Sequence, residues 1–329
     1  MPPRFKAIDY STLGFLALLV LIIFGTINAT IFRSNEVLAD EIKFTGKIVA
    51  AKDISGIGLV DKYILIGADE GNIVQVLEPN KKRSKYRVAE NIKLWEPNKS
   101  KIEVDIEGIA VANNVVFVTG SHSVNEKTQQ QAENYRQNIF RFELNSETGK
   151  LNSAIARSSL QRILEHDKVL SRYVDLPYDD NGIDIEGIAV QNNLLYFGFR
   201  TPVLQNNYVP VVVVKFEDLN RTDMYELRYV NLDGNSIRDL VAVEEGFLIL
   251  ADDRGEDSRD FQVYFWDGKN NQPGIESGSI IKVLSKISTK KNTRAEGLTI
   301  LQETATKYRI LVVYDGVKKG NPTILEIGK

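Results

Sequence analysis

Strand-length apolar runs, separated by short polar turns, follow one another along most of the chain. Between residues 54 and 94 these runs are ISGIGLV, YILIGA, NIVQVLE and KYRVAENIKL. They are rich in β-branched and aromatic residues, and Gly, Asn and Asp stand between them, which is typical of antiparallel strands. The pattern predicts an all-β protein built from units of four strands.

One short motif recurs and marks the start of each unit. Asp-Ile-Glu-Gly-Ile-Ala-Val occurs at residues 105–111 and again at residues 184–190. Its glycine, taken as an anchor, aligns five segments, at 54–78, 105–123, 184–203, 237–255 and 295–316. In the first copy Ser55 takes the position of the glutamate. In the fourth copy Asp239 takes that position and Leu240 replaces the glycine.

Four-stranded units repeated in a circle predict a β-propeller, because a ring protects the sheet edges that an open stack exposes. The five segments predict five blades; six blades is the alternative count, and a sandwich or a pair of β domains is the alternative architecture. Only one later strand, TILEIG (323–328), follows the fifth motif, so the N-terminal strand EIKFTGKIVA (41–50) is predicted to complete the last blade. The longer interval between the second and third motifs contains SSLQRILEHDKVL (158–170), whose apolar spacing predicts one short helical insertion.

The first forty residues differ from the rest. A basic start, MPPRFK, precedes the apolar run LGFLALLVLIIF (13–24), and VLA stands before Asp40. This arrangement predicts either a signal peptide or an N-terminal membrane anchor that spans the bilayer through residues 13–32; a buried soluble helix is the third interpretation. The first two export the remainder, a single propeller domain over residues 41–329. That domain would then be periplasmic or extracellular, or anchored to the membrane facing outside the cytoplasm.

Composition narrows the chemistry. The chain has 329 residues, a formal net charge of −3, no cysteine and two histidines, His122 and His166. The lack of cysteine excludes disulfides, thiolate metal sites and a cysteine nucleophile, and two histidines disfavour a histidine-rich zinc site. The charge gives no overall attraction to nucleic acid, and the sequence has no nucleotide-binding loop, serine-hydrolase elbow or zinc-protease motif.

The repeated motif carries an acidic residue beside its glycine. In a propeller the first strand of each blade lies nearest the axis, where glycine permits close approach of the backbones. The acidic residues expected to converge there are Glu107, Glu186, Asp239 and Glu296. In a structural interpretation they accept hydrogen bonds from the next blade's backbone, or pair with Arg238 or Arg294. In a functional one they bind a divalent cation, calcium by preference, or act as acid–base groups; a solvated channel without a role is the third interpretation.

A second set of polar residues is expected at the same opening, where each second strand ends. It comprises Asp69, Glu70, Ser121, His122, Arg200, Asp252, Asp253, Arg254 and Asp315. Such a mixture of acids and cations suits an anionic ester or phosphate, with Arg200, Arg254 and Asp252 as substrate-binding residues. The catalytic candidates are Glu107, Glu186, Arg200 and His122. Turn formation accounts equally for several of the aspartates, and an ordinary loop histidine for His122.

The order of these motifs resembles a known family. DIEGIAVQNNLLYFGFRTPV, SIRDLVAVEEGFLILADD, RAEGLTIL and ILVVYDG, in that order, are similar to the bacterial domain of unknown function 3616, over most of residues 45–327. The D-x-E-G-I-A phrase also resembles phytase-associated esterase-like propellers and, more remotely, calcium-dependent lactonase propellers. The first resemblance implies the fold and no reaction. The last implies an axial glutamate that helps to hold calcium, which Glu107 or Glu186 matches, whereas the asparagine ligands of those propellers are not matched.

Two functional hypotheses follow. In the first, an axial calcium ion activates water and polarises an ester or phosphoester, a carboxylate takes the proton, and Arg200 steadies the anion. In the second, the propeller is a non-catalytic scaffold that binds a ligand or a protein, and the carboxylates are structural. The sequence leaves open whether the protein is an enzyme.

Overall fold

Five small antiparallel sheets surround a common axis in the computed structural model, as the repeats predict. The structure describes residues 40–96, 102–124, 135–252, 260–272 and 278–329. No sixth sheet occurs among these residues. The predicted five-bladed propeller is therefore confirmed.

Each blade uses consecutive strands, ordered from the axis outwards. Blade one contains β2 (Ile54–Val60), β3 (Tyr63–Ala68), β4 (Ile73–Pro79) and β5 (Lys85–Lys93), with β1 (Lys43–Thr45) outside β5. Blade two contains β6 (Ile106–Ala112), β7 (Val115–Gly120), β8 (Ile139–Glu143) and β9 (Ala156–Ser158). Blade three contains β10 (Asp184–Gln191), β11 (Leu194–Thr201), β12 (Tyr208–Val214) and β13 (Tyr225–Asn231). Blade four contains β14 (Ser236–Val243), β15 (Gly246–Asp252), β16 (Asp260–Trp266) and β17 (Ile281–Ser288), and blade five contains β18 (Arg294–Glu303), β19 (Lys307–Asp315) and β20 (Thr323–Gly328).

The inner strands close the ring. Each of β2, β6, β10, β14 and β18 contacts the inner strand of the next blade, and β18 contacts β2. At this last junction the backbone N–H groups of Gly316 and Lys319 donate to the carbonyls of Lys52 and Ala51, at 2.8 and 2.5 Å. The first and last blades are thus joined by backbone hydrogen bonds as well as by packing.

The N-terminal strand does not complete the last blade, and that part of the prediction is wrong. β1 pairs in parallel with β5 of blade one, and blade five has three strands. Specific partners fix this choice. Phe44 is buried, the Val49 N–H donates to the Gln75 side chain at 2.8 Å, and the Gln75 amide donates to the Lys47 carbonyl. The Gln75 side chain in β4 therefore holds the N-terminal segment against blade one through hydrogen bonds to its backbone.

The predicted insertion between blades two and three contains one short helix, α1 (Gln161–His166). Leu160, Ile163 and Leu164 pack into the apolar core shared by blades two, three and four. Short 3₁₀ turns occur at Tyr135–Gln137, Leu170–Arg172, Tyr178–Asp180, Gln205–Asn207, Phe216–Asp218 and Lys318–Gly320. The apolar residues whose spacing predicts the helix are the residues that the structure buries.

Residues Ala39–Lys329 make up one compact unit. Among the described residues, none of the helices combines the length and the apolarity needed to cross a membrane. The signal peptide or anchor predicted in the first forty residues falls almost wholly on residues 1–39, which lie outside the described ranges.

Candidate functional site

The inner strand of every blade carries a β-bulge at the same point. In blades two to five, the register between the inner and second strands skips one inner-strand residue, which is left unpaired. In blade one the register skips Ser55 and Gly56. A bulge re-aims a side chain out of the regular alternation of a strand. The residues at this point form what we call the axial ring: Ser55, Glu107, Glu186, Arg238 and Glu296.

The register corrects the sequence alignment of the fourth copy by one residue. Arg238 occupies the glutamate position there, and Asp239 occupies the glycine position. Matching one acidic residue to another placed Asp239 wrongly, because the bulge position accepts either sign of charge. Arg238, which the sequence suggests only as a pairing partner, is a member of the ring.

The glycine after each bulge lies against the next blade. A Cβ added to Gly108 would lie 2.8 Å from Ile188 Cγ2, and one added to Gly187 would lie 3.0 Å from the Leu240 nitrogen. Asp239 uses the same space differently. Its Oδ1 accepts a hydrogen bond from its neighbour Leu240, and its Oδ2 accepts one from the Leu298 N–H of blade five, both at 2.7 Å. Asp239 therefore has the blade-fastening role that the structural interpretation predicts.

Arg238 is the buried centre of the ring. Its side chain is 3% exposed, and its Nη1 lies 3.2 Å from Glu186 Oε1 of blade three and 3.1 Å from Glu296 Oε2 of blade five. Its Nε donates to Asp252 Oδ2 at 2.9 Å. One guanidinium thus joins three carboxyl groups from three blades, and their charge keeps the pKa of Arg238 above its usual range although burial opposes this.

Glu107 differs from the rest of the ring because no protein group pairs with it. Ser55 donates to the Ile106 carbonyl, whereas the Glu107 carboxyl makes no hydrogen bond or salt bridge within the described residues. Burial raises the pKa of Glu107 well above its usual range, and the carboxyl groups of Glu186 and Asp105 raise it further. A carboxyl group with a raised pKa keeps its proton to higher pH, and in that form it can donate a hydrogen bond.

Two more acid–arginine pairs flank the ring on the side where the inner strands begin. Arg200 Nη1 lies 3.4 Å from Asp184 Oδ2 and 3.6 Å from Glu186 Oε1, and its Nε is buried without a partner. Asp105 accepts hydrogen bonds from Arg136 Nη1, at 2.7 Å, and from the Ser121 hydroxyl. The two pairs, together with the charged residues around Arg238, make up what we call the axial cluster. Its members are Asp105, Glu107, Arg136, Asp184, Glu186, Arg200, Arg238, Asp252 and Glu296.

The axial cluster contains six carboxyl groups and three guanidinium groups. Burial raises the pKa values of Asp184 and Glu296 to about 8. Burial also raises the pKa of Asp105 to about 6, although Arg136 opposes the rise. Three of the six carboxyl groups, those of Glu107, Asp184 and Glu296, thus have pKa values raised well above their usual range. The packing of six carboxyl groups around three guanidinium groups therefore favours the protonated form in part of the cluster.

His122 is a buried residue whose two ring nitrogens both face backbone groups. Its ring is buried, Nε2 accepts a hydrogen bond from the Leu160 N–H at 3.3 Å, and Nδ1 lies 3.1 Å from the Gly120 carbonyl. The tautomer that fits carries its proton on Nδ1. Burial lowers the pKa of His122 to about 4, so the ring is neutral and holds the insertion onto blade two.

The other residues expected at the opening divide into three groups. Asp252 is fully buried on Arg238 and is not open to a substrate. Glu70 is exposed, while burial raises the pKa of Asp69 to about 7, and Asp315 and Asp105 raise it further. Arg254 and Asp253 lie outside the described residues.

The four carboxylates predicted as calcium ligands do not fit a shared metal site. Both oxygens of Asp239 accept backbone N–H groups, and Glu186 and Glu296 share the guanidinium of Arg238. Throughout the described ranges, no group of three or more His, Cys, Asp or Glu side chains is arranged to hold a metal ion. Arg238 lies between these carboxyl groups, where the sequence analysis expects a metal cation.

A cleft of about 600 Å³ lies elsewhere, between blades two and three at the far ends of their inner strands. Val115, Phe117 and Leu195 line it, together with Arg141 and Phe216. It contains none of the axial cluster. Arg141 stacks 4.4 Å from the Phe216 ring and pairs with Glu217.

Two residues have no counterpart in the sequence prediction: Arg136 of the axial cluster, and Tyr178, whose ring centre lies 5.8 Å from the guanidinium carbon of Arg200. Arg136 comes from the segment before β8, and Tyr178 comes from the insertion. Neither belongs to a repeated motif, so periodicity could not find them. The charge just before an apolar strand was the only available sign for Arg136.

No functionally curated protein matches the sequence. Solved structures that are similar include the Dos1 propeller (14% identity, 84% of this chain and 59% of that chain, TM-score 0.37). The WD40 beta propeller domain of Doa1 is also similar, with 10% identity over 82% of this chain and 66% of that chain and a TM-score of 0.34. A GH43 beta 1,3 galactosidase with galactodeoxynojirimycin has 9% identity over 83% of this chain and 89% of that chain and a TM-score of 0.43. The chain thus spans less than two thirds of the first two, and TM-scores below 0.5 carry no argument about function. The model of the protein family of unknown function DUF3616 matches residues 53–150 and 143–322, so the chain belongs to this family.

Proposed function

We propose that this propeller binds a neutral, hydroxyl-rich ligand at the axial opening, with Glu107 as its main contact. The observation that carries the proposal is the unpaired carboxyl of Glu107 in a ring whose other members have partners. Glu107 is half-buried, so a ligand can reach its carboxyl group, and a ligand that hydrogen-bonds to it supplies the partner that the protein does not.

The charge state of the axial cluster favours a neutral ligand. A carboxyl group that holds its proton donates a hydrogen bond, and the carboxyl oxygens beside it accept them. A hydroxyl group can do both at once. A cation would have to displace protons from Glu107 and Asp184, whose pKa values are raised, and the guanidinium groups that would attract an anion are already paired with carboxyl groups.

Hydrolysis of an ester or phosphoester is the second candidate, and the raised pKa of Glu107 favours it. Such a carboxyl can protonate the leaving alcohol as a general acid while a neighbouring carboxylate takes the proton of the attacking water. The unpartnered Nε of Arg200 would suit an anionic ester. Calcium has no step in this scheme.

We also infer from the sequence that the domain acts outside the cytoplasm. The basic start and the apolar run at 13–24 support this inference. Cell fractionation with mass measurement of the recovered chain tests it. A full-length protein in the cytoplasmic fraction would refute export.

Calorimetric titration of the full-length chain tests the ligand class. The probes are sorbitol, glucose and lactose as neutral polyols, and calcium chloride as the cation. We expect binding of at least one polyol, retained in Glu107→Gln, whose amide still donates, and weakened about fivefold or more in Glu107→Ala. Glu78→Ala removes an exposed carboxylate of blade one and serves as the control.

Two results would overturn the proposal. One is polyol binding that is indifferent to Glu107→Ala. The other is calcium binding, in preference to every polyol, that is lost in Glu107→Gln combined with Glu186→Gln. Release of p-nitrophenol from its acetate and phosphate esters tests hydrolysis, which requires turnover that falls in both Glu107 variants.

A further inference from the structure

Tyr178 is an exposed aromatic residue beside the axial cluster. Its side chain is 41% exposed, and it is the only aromatic residue of the described ranges in the exposed class. The ring presents an apolar face beside the charged side chains of the axial cluster, where a ligand could stack on it. Tyr178 takes no part in the core that the insertion buries.

The insertion holds Tyr178 in place through contacts on both sides. Asn181 exchanges two hydrogen bonds with the backbone of Val203, at 2.9 and 3.1 Å. The segment at Pro177 forms a parallel bridge to Val124 of blade two. The 3₁₀ turn Tyr178–Asp180 is therefore held on both sides by contacts with blades two and three.

Arg200 links the ring of Tyr178 to the axial cluster. Its guanidinium carbon lies 5.8 Å from the centre of the Tyr178 ring, within the range of a cation–π contact. The same guanidinium reaches Asp184 and Glu186. Partial burial and Asp179 raise the pKa of the Tyr178 hydroxyl, and Asp184 adds to this while the charges of Arg200 and Arg136 oppose it. The ring thus lies beside Arg200, on the side of the axial cluster that holds Asp184 and Glu186.

We propose that Tyr178 is a stacking platform for a sugar ring, so that the ligand of the axial opening is a neutral saccharide. This rests on the proposed binding function and adds the class of ligand. A saccharide has hydroxyl groups around its edge and an apolar C–H face. The edge matches the donors and acceptors of the axial cluster, and the face matches an exposed aromatic ring.

The arrangement separates these two kinds of recognition. Glu107 and Glu186 lie on the inner strands of blades two and three, and the aromatic platform lies on the insertion between these blades. An acyclic polyol can satisfy the first and has no rigid face for the second. Preference for a ring is therefore the property that Tyr178 confers.

A matched pair of probes isolates the ring. Myo-inositol and sorbitol both have six carbons and six hydroxyl groups, and only myo-inositol is cyclic; glucose, galactose, lactose and cellobiose complete the panel. Titration of the full-length chain should show tighter binding of the cyclic probes. Tyr178→Phe should bind within about twofold of the unchanged protein, and Tyr178→Ala about fivefold or more weakly, with sorbitol affected by less than about twofold.

Met224→Ala is the matched control, because Met224 is a similarly exposed side chain, at 45%, before β13 of blade three. Thermal melting of each variant confirms that it is folded. Equal binding of myo-inositol and sorbitol, or unchanged saccharide binding in Tyr178→Ala, would overturn the platform while leaving polyol binding at Glu107 intact. Saccharide binding that depends on Tyr178 and not on Glu107 would instead refute the axial site. Absence of saccharide binding would refute the platform outright.

Discussion

Replacing Arg238 with methionine should destabilise the propeller strongly and in a pH-dependent way. The side chain is 3% exposed, and its guanidinium is shared by Glu186, Glu296 and Asp252 at 2.9–3.2 Å. Methionine keeps an unbranched stem but lacks the guanidinium group, so the change removes the charge and all three ion pairs. What remains is a buried group of carboxyls that have lost their common cation.

The size of the effect follows from these distances. At an effective dielectric constant of about 20, opposite charges roughly 3 Å apart attract by about 5 kcal/mol. The cost of removing a guanidinium from water offsets much of the attraction of its partners. Removal of one partner from a buried ion pair typically costs about 3–5 kcal/mol. We expect a loss in that range at pH 8, and a loss smaller by about 1–2 kcal/mol at pH 5.5, because the orphaned carboxyls can then take up protons.

Urea unfolding followed by tryptophan fluorescence measures this loss, since Trp266 is fully buried in blade four. Arg221→Met provides the control, because Arg221 is 53% exposed and pairs with Asp223 at the surface, where water weakens an ion pair. A loss below about 1 kcal/mol for Arg238→Met at pH 8 would refute the central role of this arginine. Equal losses at the two pH values would refute the reasoning about protonation.

Three further changes test the ring. Because the pKa of Glu107 is raised on folding, its contribution to stability is full below the unfolded pKa of about 4.3 and is lost as pH rises through the folded pKa. Thermal melts should therefore show a lower melting temperature at pH 8.5 than at pH 5.5, and Glu107→Gln should make this difference smaller. Asp239→Asn offers one acceptor where two backbone N–H groups need two, so urea unfolding should show a loss of about 1–3 kcal/mol; no loss would contradict the fastening role. Gly108→Ala forces a methyl group against Ile188 and should cost about 1–3 kcal/mol, whereas Gly328→Ala, which meets nothing within 4 Å, should be neutral; equal melting temperatures would contradict the close approach of the blades.

The sequence was sufficient for the architecture because the fold repeats. The strand-length runs, the turns and the recurring glycine all report local geometry, and the same geometry occurs five times. The position of β1 had no such support. It depends on Gln75 in β4, a single polar residue that no repeat emphasises.

The candidate site was only partly predictable, since its chemistry departs from the repeat. Convergence of Glu107, Glu186 and Glu296 follows from their equivalent positions. The pairing that gives them different roles depends on Arg238, and a comparison that matches acid with acid conceals an arginine at a bulge. His122 looked chemically suitable because the sequence could not show that both ring nitrogens face the backbone.

The glutamate and the glycine of the motif have linked physical roles. A bulge sends one side chain toward the axis, and the next residue then faces the neighbouring blade, where only a glycine or a side chain with a partner there fits. In blade four both positions change together. Arg238 supplies the positive charge that the glutamates of blades three and five need, and Asp239 fills the glycine position by bonding to blade five. Blade four thus stabilises the acidic ring on behalf of its neighbours, and the glutamate of blade two, which Arg238 does not reach, is the one free to meet a ligand.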